Sequence, residues 1–167
     1  MQSESSIRQA ASELDEALEA GDRDRVVACF AEDCTIELLG IRLQGHVGVR
    51  RWLHWVFAHI ERIEFSPRVI SVDGDTFIEE FGVRGLLQSG RGLRSQWAEV
   101  LTYRADLVIS LRLYFDPLDF APSLGRLGQW LGPVATRLAR RGLAPYVVLD
   151  GTGRDGELAL QWVVGIA

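Results

Sequence analysis

The chain lacks lysine altogether: its 18 basic residues are all arginines, and no basic run exceeds two residues. Together with 23 acidic residues they give a net charge of -5, so a nucleic-acid-binding surface is not expected. The absence of lysine also excludes a phosphate-binding P-loop. We attribute the exclusive use of arginine to codon bias in a GC-rich genome.

Cysteines and long apolar segments are scarce as well. Cys29 and Cys34 lack Cys-x-x-Cys spacing, so we expect two small buried side chains rather than a disulfide, redox or metal site. No apolar segment approaches ~18 residues, and the first residues, MQSESSIRQ, have no basic start followed by an apolar stretch. We therefore expect a cytoplasmic protein that uses no metal or other cofactor.

Apolar residues at helical spacing predict three helices in the first 60 residues. Ser5 or Ser6 can cap the first helix and Gly21 can end it, while Asp22 can cap the second. The predicted elements are a helix over 7–18, a helix from 22 to 31, a strand CTIEL at 34–38 and a helix from 45 to 60.

From residue 65 onward the apolar period changes to two, which predicts an antiparallel meander. Its strands are expected at 68–73, 76–87, 94–104 and 107–115, and the odd-numbered residues of the last three form one apolar face that includes Leu107 and Ile109. The predicted fold class is therefore α+β, with a curved antiparallel sheet covered on one face by three N-terminal helices. We assign residues 1–118 to this domain.

Residues 119–167 are predicted to form an appendage packed on the same domain. It would contain an amphipathic helix from about Pro122 to Arg141 and a hairpin around the GTGRDG segment at 151–156. That segment matches the G-x-G-x-x-G pattern of dinucleotide sites, but eleven residues cannot complete such a fold. We interpret it as a hairpin turn.

Glu99 is the leading candidate for chemistry, because the alternation in SQWAEVL at 95–101 places it beside Trp97 and Leu101 on the apolar face. Burial there would raise the pKa of its carboxyl and make it a proton donor or base near neutral pH. Two structural alternatives remain open: pairing with an arginine or a helix end at the pocket rim, or a strand register shifted by one residue.

Three further residues are candidate catalytic groups. Glu79 shares the odd face; if the turn is centred at residues 90 and 91, Glu99 lies opposite residues 81–83 and Glu79 roughly 7–13 Å further along. We expect that the two acids do not share a proton, and that Glu79 is either a second catalytic acid or a solvated rim residue. Tyr103 can orient a carbonyl or can be a core residue, and His59 flanks the apolar face of its helix.

Three segments carry a resemblance to a known superfamily. They are EALEAGDRDRVVACFAEDCTIEL at 16–38, LQGHVGVRRWL at 43–53 and WAEVLTYRADLVISLRLYFD at 97–116. In their order and spacing they resemble the nuclear transport factor 2-like superfamily, and within it the SnoaL-like polyketide cyclases, ketosteroid isomerases and limonene epoxide hydrolases. The resemblance implies a cone-shaped sheet, closed by the helices, around an apolar pocket.

The resemblance also implies which positions carry chemistry, and three of them hold leucine here. The isomerases' general-base aspartate falls at Leu38, their helix tyrosine at Leu14, and the epoxide hydrolases' strand aspartate at Leu113. The isomerases' protonated aspartic acid falls at Glu99. Of these four positions, Glu99 is therefore the one that keeps an acidic group. We expect seven side chains to line the pocket and bind substrate: Trp97, Trp52, Phe81, Leu38, Leu113, Phe115 and Leu14.

These observations predict a cofactor-independent enzyme of secondary metabolism that acts on an apolar molecule of polyketide or terpenoid type. The reaction would be an acid/base cyclisation, isomerisation or epoxide opening. The alternative is a non-catalytic cone that binds a small molecule or a partner. The mixed even-numbered face of the sheet suits a homodimer contact, and no nucleic-acid or membrane partner is expected.

Overall fold

The computed structural model describes residues 2–124, in which three α-helices and a six-stranded sheet share one hydrophobic core. The elements are α1 (Glu4–Glu19), α2 (Arg23–Ala28), β1 (Phe30–Leu38), β2 (Ile41–Gln44), α3 (Gly45–His59), β3 (Ile60–Asp73), β4 (Thr76–Leu87), β5 (Gly92–Arg104), β6 (Leu107–Tyr114) and a 3₁₀ helix (Pro117–Leu124). The predicted α+β class is confirmed. The predicted C-terminal helix and hairpin lie outside the described residues, and the boundary at residue 118 stays a prediction.

The strand order is β2-β1-β6-β5-β4-β3, so the sheet is mixed rather than wholly antiparallel. Strands β3 to β6 form the predicted antiparallel meander. β1 pairs in parallel with β6, and β2 pairs with β1 through a turn in which Leu39 and Gly40 both have positive φ. Alternation predicted the meander, but it carries no information on a pairing between strands so distant in sequence, and the largely exposed β2 has no apolar pattern.

Helix α1 forms because its apolar residues recur on one face and its first turn is capped. The side chain of Ser3 accepts a hydrogen bond from the Ser6 N–H at 3.1 Å, so the cap precedes the two serines that the sequence suggested. Gly21, with φ of +68°, follows the helix end as predicted. The residues that α1 buries are Ile7, Ala10, Ala11, Leu14, Ala17 and Leu18.

Two element boundaries differ from the prediction. Helix α2, capped by Asp22 as expected, ends at Ala28, and β1 already begins at Phe30 rather than Cys34. Strand β3 begins at Ile60, directly after α3, whereas the sequence predicted a strand only from residue 68. Both differences arise where buried apolar residues occur at a change from helix to strand, because such residues fit either period.

A register shift on β5 changes which residues of β6 face the core. The shift lies between Thr102 and Tyr103, so Tyr103 pairs with Val108. Val108 is buried, Leu107 is exposed and Ile109 is half-buried. The predicted core positions of Leu107 and Ile109 were therefore wrong, because one irregular pair reverses the alternation at the start of β6.

Candidate active site

Four side chains lie in one row across the sheet, on the side that carries the core. Leu38 of β1 is opposite Leu113 of β6, Leu113 is opposite Glu99 of β5, and Glu99 is opposite Glu79 of β4. Directly paired residues of neighbouring strands point to the same face of a sheet. We call these four residues the cross-strand row; it begins with two leucines and ends with two acids.

The direct pairing of Glu79 with Glu99 corrects the predicted register. The β4–β5 turn brings Leu86 opposite Gly92, so it is centred at Ser89 rather than at residues 90 and 91. Glu99 is consequently opposite Glu79 and not residues 81–83. The predicted separation was wrong: directly opposite residues have Cβ atoms about 5 Å apart, which is within reach of a carboxyl–carboxyl contact.

Helix α1 adds a third acid, Asp15, which the sequence analysis missed. Asp15 and Glu99 line the same interior cavity of about 20 Å³, a volume that suits one water molecule. The signal was present in the sequence, because Asp15 is four residues after Ala11 and three before Leu18, both of which are buried on α1. The cavity-lining residues are Leu14, Asp15, Leu18, Trp52, Val56, Ile63, Phe65, Phe81, Trp97, Glu99, Leu111 and Leu113.

Burial raises the pKa of all three acids, and repulsion from neighbouring carboxylates adds to the shift for Asp15 and Glu99. For Glu99, which is 8% exposed, burial raises the pKa well above the ordinary value, and the charges of Asp15 and Glu79 raise it further. Burial, followed by the charges of Glu79 and Glu19, raises the pKa of Asp15 to about 7. Burial raises the pKa of Glu79 to about 6. Of the three carboxyls, Glu99 is the one whose protonated form is favoured both by burial and by two negative neighbours, which suits a proton donor, whereas Asp15 and Glu79 are available as bases.

No arginine neutralises this group of acids among the described residues. The described ion pairs involve Arg8, Arg42, Arg50, Arg62 and Arg104, all with exposed partners at the surface. None of these pairs includes Asp15, Glu79 or Glu99. An adjacent arginine would have lowered the pKa values, so the absence of one from these pairs is consistent with their upward shifts.

Tyr103 and His59 differ in their relation to the acids. Tyr103 is 2% exposed, its hydroxyl has no hydrogen-bond partner in the described chain, and burial followed by the charge of Glu99 raises the pKa of its phenol. His59 is half-buried, packs on the Trp55 ring at 5.0 Å and donates from Nδ1 to the Trp55 carbonyl at 2.8 Å. The fold thus brings Tyr103 into electrostatic contact with the acids, whereas His59 does not line their cavity.

An aromatic cluster covers the Trp97 side of the cavity. Phe115 and Phe120 stack against Trp97 and Trp55 with ring centroids 5.1 to 6.1 Å apart. Ser95 ties the same region together: it accepts a hydrogen bond from Trp97 Nε1 at 2.8 Å and donates to Asp119 Oδ2. The 3₁₀ helix is thereby attached to the wall of the cavity.

A larger groove lies on the outside, at the β1–β2 hairpin, and has a volume of about 540 Å³. Leu38 and Phe115, two of the predicted pocket residues, line this groove and not the interior cavity. Leu113 lines both spaces, and the predicted Leu14, Trp52, Phe81 and Trp97 line the interior cavity. The groove has the size of a ligand site, but the acids with raised pKa values line or adjoin the interior cavity, so we place the candidate site there.

Within residues 2–124, no group of three or more His, Cys, Asp or Glu side chains is arranged to hold a metal ion. Cys29 is half-buried, Cys34 is buried, and both are free thiols. Within the same residues, no helix is long and apolar enough to span a membrane.

The comparisons with known proteins agree on the fold. The profile of the SnoaL-like domain matches residues 11–111. A search of curated proteins found no match.

Three solved structures are similar over most of their length. One is an NTF2-like protein of unknown function from Burkholderia pseudomallei (21% identity, TM-score 0.61, 66% of this chain and 91% of the other). The second is an LEH-like epoxide hydrolase from Mycobacterium tuberculosis (20% identity, TM-score 0.61, 81% of this chain and 97% of the other). The third is SalBIII, an epoxide hydrolase/cyclase-like enzyme with a role in pyran ring formation in the polyether salinomycin (20% identity, TM-score 0.63, 71% of this chain and 97% of the other).

Proposed function

This chain belongs to the SnoaL-like domain family, and from that premise and its three acids with raised pKa values we propose that it is a cofactor-independent enzyme of acid/base proton transfer. The proposed substrate is an apolar, oxygen-bearing molecule of polyketide or terpenoid type, as in secondary metabolism. The observation that carries the proposal is that Glu99, which lines a mostly apolar cavity together with Asp15, pairs directly with Glu79 on the neighbouring strand. Such a group has no structural purpose that leucines would not serve better.

The different pKa values assign the roles. Glu99 donates its proton to the substrate oxygen, because burial and the charges of Asp15 and Glu79 favour the protonated form of its carboxyl. Asp15 or Glu79 accepts a proton from a hydroxyl or carbon of the same substrate molecule. The carboxyl groups then exchange the proton among themselves, so the enzyme returns to its starting state without a co-reactant.

In a ring closure the balance is as follows. The Glu99 proton passes to an epoxide oxygen, the C–O bond breaks with its electron pair on that oxygen, and a hydroxyl oxygen of the same molecule forms the new C–O bond. The hydroxyl proton goes to the Asp15 carboxylate. The product is an isomer of the substrate, and an isomerisation at a carbonyl compound would use the same two groups. Tyr103, four residues after Glu99 on β5, is a candidate second proton donor.

Replacing Glu99 with glutamine tests the proposal, because the amide keeps the shape and cannot transfer the proton. The probes are a hydroxy-epoxide placed to close a tetrahydropyran ring and a β,γ-unsaturated ketone, followed by NMR of the products. We expect the wild type to convert one of them, and Glu99→Gln to lower kcat by at least about a hundredfold.

The matched control is Glu80→Gln, which changes an exposed acid next to Glu79 on the opposite face of β4 and should leave turnover intact. Equal activity of Glu99→Gln and wild type would refute the assignment of Glu99. Binding of the probes without turnover by the wild type would favour the second function, a non-catalytic small-molecule-binding cone. The outer groove of about 540 Å³, which has the size of a ligand site and is not lined by Asp15, Glu79 or Glu99, is the observation that favours this alternative.

A further inference from the structure

Two tryptophans line the interior cavity, and their indole nitrogens differ. Trp97 Nε1 donates to Ser95 Oγ at 2.8 Å. Trp52 Nε1 is buried and has no hydrogen-bond acceptor in the described chain, although the residue is only 4% exposed. Buried N–H groups in native proteins are rarely left unpaired, because they have lost water without a replacement. Trp52 lines the interior cavity, so its indole is a cavity-wall group with an unused donor.

The Trp52 ring is held rigidly. It projects from the buried face of α3, between Val49 and Val56, and it meets the Phe30 ring edge-on with centroids 6.2 Å apart. A ring fixed by packing loses little freedom when a ligand binds to it. Its N–H is thus a preorganised donor rather than an adaptable one.

The acids of the cavity do not use this donor. Asp15 and Glu99 line the same cavity and could accept a hydrogen bond, yet neither pairs with Trp52 Nε1. The indole N–H is one donor, and Glu99, whose buried carboxyl is shifted toward its protonated form, is a second. A ligand group that can accept from both is an uncharged oxygen with two lone pairs. A ketone, ether or epoxide oxygen has this property, whereas a hydrocarbon or an ammonium group does not.

We propose that Trp52 Nε1–H binds the acceptor oxygen of the substrate and so selects oxygen-bearing ligands over hydrocarbons of the same shape. The inference rests on the proposed function for the class of ligand, and it adds the residue that orients this ligand toward Glu99. Trp97 contributes apolar wall only, because its own N–H is occupied by Ser95.

The test uses the full-length protein labelled with ¹⁵N and two probes of the same shape. Cyclohexanone carries an exocyclic oxygen, whereas methylenecyclohexane carries an exocyclic CH₂ group in its place. We expect cyclohexanone to shift the indole N–H resonance of Trp52 downfield, and methylenecyclohexane to leave it in place. The variants Trp52→Phe and Trp97→Phe assign the two resonances. The Trp52→Phe variant should lose the preference for the ketone, which we expect to be roughly three- to tenfold in affinity.

Trp97→Phe is the matched control, since it also shortens an aromatic wall residue but removes an N–H that the protein already uses. It should weaken both probes by the same factor. Equal binding of the two probes by the wild type, no binding of cyclohexanone, or an unchanged Trp52 resonance on binding would each overturn the proposal. These readouts measure binding alone, so they are separate from a failure of the proposed catalysis, and the wild-type shift decides the matter even if Trp52→Phe folds poorly.

Discussion

At the scale of single residues, the state of Glu99 depends on the two carboxyl groups beside it. Burial is the largest contribution to its raised pKa, and the negative charges of Asp15 and Glu79 add to it. The proton on Glu99 is therefore retained partly by residues on other elements. A change on α1 should be measurable on β5.

Replacing Asp15 with asparagine removes one of these charges and should lower the pKa of Glu99, although burial will still keep it above the ordinary value. The measurement is a pH titration of the glutamate side-chain carboxyl signals by ¹³C NMR. The control is Glu13→Gln, an exposed acid on the same helix whose removal should leave the Glu99 titration unchanged. A Glu99 titration that does not move in Asp15→Asn would mean that burial alone sets its proton affinity.

The sequence predicted the burial of Glu99 but not the neighbours that determine its proton affinity. Alternation places Glu99 and Glu79 on one face regardless of how the strands are paired, so this part was predictable. Their direct opposition depends on a turn centre that differs from the expected one by about one residue, and alternation cannot detect an error that preserves the face. Asp15 was missed because an acid at the edge of an apolar stripe usually faces water.

At the scale of elements, the pairing of β3 with β4 depends on a close backbone approach at Gly85. A Cβ added at Gly85 would lie 2.1 Å from the Arg62 carbonyl oxygen, next to the register shift between Ile60 and Arg62. The interfering atom belongs to the backbone and cannot rotate away. Any side chain here must displace one of the two strands.

Gly85→Ala should therefore lower the free energy of unfolding by about 1–3 kcal/mol, the usual cost of overpacking. Gly92→Ala is the matched control at the start of β5, where an added Cβ meets nothing within 4 Å, and it should change stability by less than about 1 kcal/mol. Urea unfolding followed by tryptophan fluorescence measures both. Similar values for the two alanine variants would contradict the proposed close approach.

The helices and the meander were predictable because each carries its own period, and α1 and α2 also carry capping residues. The pairing of β1 with β6 was not, because the evidence for it is spread over two strands that alternation treats separately. Helix-to-strand changes such as His59 to Ile60 were also missed, since no glycine or proline marks them. What the sequence pattern did not predict is how the elements contact one another, rather than which elements form.

At the scale of the whole molecule, the buried acids make stability depend on pH in an unusual direction. Asp15 has a pKa of about 7 and Glu79 a pKa of about 6 in the folded chain, against ordinary values of 3.8 and 4.5. The folded state therefore binds these protons more tightly than the unfolded state. Their contribution to stability is complete at low pH and is lost as the pH rises through 6 and 7.

The free energy of unfolding should consequently fall between about pH 4.5 and pH 7.5, with Glu79 alone contributing on the order of 2 kcal/mol. The double variant Glu79→Gln, Glu99→Gln should have a flatter profile, because neither amide titrates. Glu80→Gln, exposed on the other face, should keep the wild-type slope. Urea unfolding across this pH range is the measurement, and a wild-type stability that rises with pH would contradict the assigned shifts.

A homodimer through the outer face of the sheet stays a prediction.

Among the described residues, Leu113 is the one that the linings of the interior cavity and the outer groove have in common. In evolutionary terms, a single codon can therefore alter the walls of both spaces at once. We expect a smaller residue at position 113 to enlarge the space beside Glu99 without altering an acid. The fold keeps its chemistry and its capacity at separate positions, and this separation lets substrate range diversify while the proton-transfer groups stay in place.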